Sequence, residues 1–82
     1  MESQALLDEL GRRLRAAREA AGLSVSELAR RADTSRRHVT DAEAGRANLS
    51  ILRLAALARA LGVPVAALVD ERARGCRGEV DA

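Results

Sequence analysis

Residues 24–45, SVSELARRADTSRRHVTDAEAG, carry two helix starts and two helix stops in quick succession. That punctuation restricts the fold more than any other stretch of the chain. Ser24 and Glu27 have capping-box spacing: the hydroxyl faces one free backbone N–H at a helix start, and the carboxylate reaches back to another. Leu28, Ala29 and Ala32 then supply one inward face. Asp33-Thr34-Ser35 interrupts the helix. Asp33 tolerates the left-handed backbone region better than most non-glycine residues. Ser35 can cap a second helix running to about Ala44, where Gly45 ends it.

Two short helices joined by so tight a turn, and packed through small residues, describe a helix-turn-helix over about residues 25–44. The small residues are a steric requirement. Ala29 opposite Val39 lets the two backbones approach, and a longer side chain at Ala29 would lever the second helix away.

The rest of the chain follows the same grammar. In SQALLDELGRRLRAAREAAG, Leu7, Leu10, Leu14, Ala17 and Ala21 form an apolar stripe at helical spacing, and Gly22 sits where a helix end takes a left-handed residue. Gly11 interrupts this helix, where Gly costs up to ~1 kcal/mol relative to Ala, and close packing would give it a purpose. Ser50 starts a fourth helix with Ile51, Leu54, Ala55, Ala58 and Leu61 expected inward, and Gly62 stops it. Pro64 suits the first position of a fifth helix, PVAALVDE, with Val65, Leu68 and Val69 apolar. The remainder, RARGCRGEVDA, lacks periodicity and reads as a mobile polar tail over 72–82 after a single domain over 1–71. With no strand-like run and no repeat, the expected fold is all-α: a compact bundle of five short helices.

Composition narrows the function. The 82 residues include no Phe, Tyr or Trp, so Ala, Leu, Val and one Ile must build the core. A domain of this size buries only about 60–65% of its unfolded surface, and association with a second copy would add stability. Without rings there is nothing on which to stack unpaired bases, which argues against single-stranded DNA or RNA as a partner. Rings also commonly line cofactor pockets, so no cofactor is expected. Every basic residue is an arginine, and residues 10–69 hold eleven of them against five acids, while both ends are net acidic. A basic middle fits a polyanion-facing surface; an arginine-rich solvated surface would give the same count. The lone Cys76 forbids an internal disulfide and no metal-ligand spacing occurs. No apolar run spans a membrane and no leader pattern opens the chain, so a cytoplasmic location is expected. There is no catalytic triad and no phosphate-cradling glycine loop, so no enzymatic activity is expected.

LGRRLRAAREAAGLSVSELARRADTS, the EAG at 43–45 and LARALGVPVAALV at 57–69 resemble, in order and spacing, the Cro/phage-repressor type (XRE-like) helix-turn-helix regulators. The resemblance covers residues 10–70 and implies a lambda-repressor-like fold and a dimeric, sequence-specific binder of double-stranded DNA. HVTDAEAGRANLSIL further resembles controller proteins of restriction–modification systems through Val39, Asp41, Glu43, Gly45, Asn48 and Ser50. It departs from them at His38, Thr40 and Ala47. DNA-binding modules of longer effector-sensing regulators carry similar fourth-helix starts.

Arg36 and Arg37 fall in the first turn of the second helix of the motif, the part that reaches base edges. An arginine fork matches guanine O6 and N7 together, so one of the two is expected to read a guanine and the other to grip phosphate. Thr40 can touch a thymine methyl or a phosphate. Asp41 can accept from cytosine N4 or orient Arg37 one turn away, and orientation is the favoured reading. Ser24, Ser26, Ser35, His38, Arg46, Asn48 and Ser50 are candidates for the DNA backbone, with packing as the other role open to His38. Val25 stands where many members of the resembling family carry a Gln that holds a phosphate. The resemblance also pairs Arg18 with Glu43 as a structural brace. Val65, Leu68 and Val69 are the expected dimer interface, which would set two recognition helices roughly 34 Å apart, one DNA turn; the contrasting reading is that they close the core of the single chain. RNA polymerase is a further partner compatible with a controller protein. A contrasting reading, an antitoxin-type module that neutralises a protein partner, would survive loss of Arg36 and Arg37, whereas DNA binding would not.

Overall fold

The computed structural model describes residues 2–69. Five α-helices account for most of them: α1 (Glu2–Ala20), α2 (Val25–Arg31), α3 (Arg36–Glu43), α4 (Ile51–Leu61) and α5 (Val65–Val69). Cys76, the 71/72 domain boundary, the last two residues of PVAALVDE and the tail 72–82 lie outside the described residues. No described helix is long and apolar enough to cross a membrane.

The starts are capped as the sequence requires. Glu27 N–H donates to Ser24 Oγ at 3.0 Å while Ser24 N–H donates to the Glu27 carboxylate at 2.8 Å. Those bonds hold the Glu27 carboxyl below its ordinary range, the Ser24 backbone bond contributing most. Ser35 and Ser50 accept from His38 N–H and Arg53 N–H at 3.0 and 3.1 Å.

The stops share one device. At each of the ends of α1 to α4 a left-handed residue lets two successive N–H groups return to the last turn, the Schellman pattern. The pairs are Gly22→Glu19 with Leu23→Arg18, Asp33→Arg30 with Thr34→Ala29, Gly45→Ala42 with Arg46→Asp41, and Gly62→Arg59 with Val63→Ala58. Asp33, at φ 59°, takes the role that glycine has at the other three ends. Pro64 lies just before α5 and accepts from Ala67 N–H at 3.0 Å, one position earlier than the sequence suggested.

Leu14, Leu28, Val39, Leu57 and Leu68 are almost wholly buried, and Ala29, Ala32, Ala42, Leu54, Ala58 and Leu61 complete the centre. One inward assignment is corrected. Ile51 is 68% exposed, because it opens α4 at the molecule's edge, whereas Leu57 fills the core at 1%. Leu68, expected either at a dimer interface or in the core, is 1% exposed within a single chain; as the one leucine of α5 it fills the core where that helix packs on α1 and α4.

α1 crosses α3 closely at Gly11. A Cβ there would collide with the Glu43 carbonyl and lie 2.7 Å from that of Ala42, so the glycine is required by the crossing.

Candidate nucleic-acid interface

The start of α2 and the first turn of α3 meet on one side of the molecule. Ser24, Val25 and Ser26 from the start of α2, and Arg36, Arg37 and Thr40 from α3, line one open cleft. The order follows from the helix starts: Ser35 as N-cap puts Arg36 and Arg37 in the first turn, and one further turn brings Thr40 onto the same face.

The two arginines are held differently. Arg36 Nη1 lies 3.4 Å from Ser26 Oγ, so it leans toward α2. Arg37 Nε lies 3.7 Å from Asp41 Oδ2, with the Arg37 side chain 90% exposed. Asp41 also accepts from Arg46 Nη2 at 3.3 Å, a partner that helical spacing could not disclose because Arg46 lies beyond the end of α3. Asn48 and Ser50 are exposed in the loop after Arg46.

Ser24, Ser35 and Ser50 each spend an acceptor position on a cap. A hydroxyl that accepts still has its own O–H to donate, so capping leaves all three able to face a phosphate. His38 is different. It is half-buried and its Nε2 is enclosed without a hydrogen-bond partner among the described residues. That nitrogen is closed off from the surface, and His38 is not among the residues that line the cleft.

Arg18 joins Glu43 through two bonds, Nε–Oε2 at 2.6 Å and Nη2–Oε1 at 3.1 Å, and its Nη1 donates to Leu23 O at 2.9 Å. Glu43 is the main reason the guanidinium is held above its ordinary range. The brace ties α1 to the last turn of α3, behind the cleft. A second clasp was not foreseen: Gln4 Nε2 donates to Gly45 O at 2.9 Å and to Asp8 Oδ1 at 2.8 Å. Arg53 was also missed. It donates to Thr34 Oγ1 at 3.0 Å, linking α4 to the turn that precedes α3. Both contacts join residues far apart in sequence with no local pattern to mark them.

Among the described residues no group of three or more His, Cys, Asp or Glu side chains could hold a metal ion. The cleft offers hydroxyl and guanidinium donors, which suit a polyanion.

Comparison with known proteins bears on the same segment. The helix-turn-helix family model HTH_3 matches residues 14–68. The chain is 40% identical over 62 residues to the immunity repressor protein of Bacillus phage phi105, covering 76% of this chain and 43% of that one. It therefore spans less than half of that relative's length. Its structure is similar to that of the restriction-modification controller protein C.AhdI from Aeromonas hydrophila, with a TM-score of 0.76 and 38% identity over 78% of this chain and 97% of that chain. It is also similar to the clp gene regulator ClgR from Corynebacterium glutamicum, with a TM-score of 0.78 and 32% identity over 93% and 81% of the two chains.

Proposed function

The chain belongs to the XRE-type helix-turn-helix family of DNA-binding transcription regulators, and from that premise we propose that it binds a pseudo-palindromic operator as a homodimer and regulates its own promoter. The single observation that carries this reading is the cleft beside α3, where two exposed arginines converge with the hydroxyls of Ser24, Ser26 and Thr40. α3 enters the major groove by its N-terminal turn. Arg37 reads a guanine: Asp41 lies nearest its Nε, at 3.7 Å, and the outer fork is offered to O6 and N7. Arg36, drawn toward Ser26, sits closer to the backbone that α2 approaches. Ser24, Ser26, Ser35, Arg46, Asn48 and Ser50 fix the register on phosphates, and Thr40 meets a thymine methyl or a phosphate.

The similarity to a restriction–modification controller protein supports that setting for the operator, with RNA polymerase as a further partner. A cytoplasmic location belongs to the same proposal.

The test is a mobility-shift titration at about 150 mM salt, where non-specific binding is typically only 10⁻⁴–10⁻⁶ M. The labelled duplex comes from upstream of the chain's own gene, with scrambled duplex as competitor. The reading predicts a competitor-resistant complex at two chains per site. Equal weak binding to both duplexes would contradict autoregulation.

A further inference from the structure

Asp41 is an acid on a surface proposed to face phosphates, and it is held by two cations with different tasks. Its carboxylate lies 3.7 Å from Arg37 Nε and 3.3 Å from Arg46 Nη2, one cation on each oxygen. The second contact is not the crossing of two long side chains by chance. On a continuous helix, neighbours are three or four residues apart; Arg46 is five residues after Asp41. The turn at Gly45 brings it back, with Arg46 N–H donating to Asp41 O at 2.8 Å and Gly45 at φ 76°. Backbone geometry thus fixes the origins of both side chains.

Stability does not explain the arrangement. Arg37 and Arg46 side chains are 90% and 66% exposed, and such pairs contribute little in water. The end of α3 is already braced by Arg18–Glu43. A carboxylate here instead lowers the attraction of the surface for any duplex.

Resting on the DNA-binding reading above, we propose that Asp41 is a positioning residue that sets specificity by restraining Arg46. In the free protein Asp41 neutralises Arg46 and so weakens its grip on phosphate. On a random duplex Arg46 must leave Asp41 to reach a phosphate, with no compensation. On the operator, the carboxylate released by Arg46 turns wholly to Arg37 and holds its fork against the guanine. The gain at the base then offsets the loss of the Asp41–Arg46 pair. Specificity arises because the phosphate contact is cheap only when the base contact forms with it.

The experiment compares wild type, Asp41→Asn, Arg46→Ala and the double variant. The probes are the tightest duplex that wild type recovers from a random-sequence pool, and its scramble. Affinities are measured across a salt series. Asp41→Asn should bind the scramble more tightly, about three- to tenfold, with a log–log salt slope steeper by up to ~0.9, the value of one phosphate contact. The preference for the selected duplex should fall several-fold. In the Arg46→Ala background, Asp41→Asn should leave the slope on the scramble unchanged, because the restrained residue is gone. The same steepening without Arg46 would overturn the proposal in favour of a general charge effect, and so would equal gains on both duplexes. If wild type selects no duplex, the DNA-binding reading itself falls.

Discussion

Arg18 and Glu43 separate the residues that build the site from those that use it. Their side chains are 12% and 9% exposed and share two hydrogen bonds, so removing one strands the other with its charge unpaired. Glu43→Ala should cost about 3 kcal/mol of folding free energy, the range for breaking a largely buried pair. Asp41→Asn, on exposed pairs, should cost less than ~1 kcal/mol. Urea denaturation of the two variants checks the contrast, and similar losses would refute the division of roles. The brace was legible before the structure only through the family resemblance, since nothing in a linear pattern joins residues 18 and 43. Arg36 and Arg37 show the opposite limit. Adjacent and chemically identical, they are interchangeable in sequence, and only Ser26 beside one and Asp41 beside the other distinguish them.

The helices were read more easily than their faces. Caps and stops are local chemistry, so Ser24, Ser35, Ser50 and the left-handed Asp33, Gly22, Gly45 and Gly62 mark every boundary from the end of α1 to the end of α4. Leu54, Ala58 and Leu61 of α4 are buried as their spacing predicts, but ILRLAALARAL is apolar nearly all round, with only Arg53 and Arg59 to mark the solvent side. Periodicity cannot set the edges of such a face, and its neighbours placed Leu57 inward and Ile51 outward. Gly11 could be flagged from sequence as a cost, but its reason, the carbonyls of Ala42 and Glu43, lies in another helix. Gly11→Ala should therefore destabilise by about 1–3 kcal/mol, as overpacking against atoms that cannot yield, although alanine favours helix. Thermal melts followed by circular dichroism would show it. A higher melting temperature would mean that α1 and α3 do not cross this closely.

At the scale of the molecule, the absence of aromatic residues left a core of small aliphatic side chains, and the apolar surface that remains concerns association. Leu68 belongs to the core, but Val69 is 49% exposed beside Leu6 at 67%. These two line a groove with Leu7 and Leu10, and Val65 is partly buried on the same short helix. If α5 contributes to a dimer, Val69→Asp should sediment as a monomer with its helical content intact and lose operator binding, whereas an unchanged dimer would place the interface elsewhere. Leu68→Asp could not answer the question, because it would unfold the monomer. The proposed function assigns DNA recognition to the first turn of α3, and base preference tests that assignment most directly. Each operator position is varied in turn, and binding by wild type, Arg37→Ala and Arg46→Ala is compared. Arg37→Ala should abolish preference at one guanine, a loss of roughly 1–3 kcal/mol of discrimination, while Arg46→Ala should keep part of that preference, weaken operator duplexes most and lower the salt slope on them by about one. If both variants weaken all sequences equally, Arg37 does not read a base and the α3 cleft is not the recognition surface.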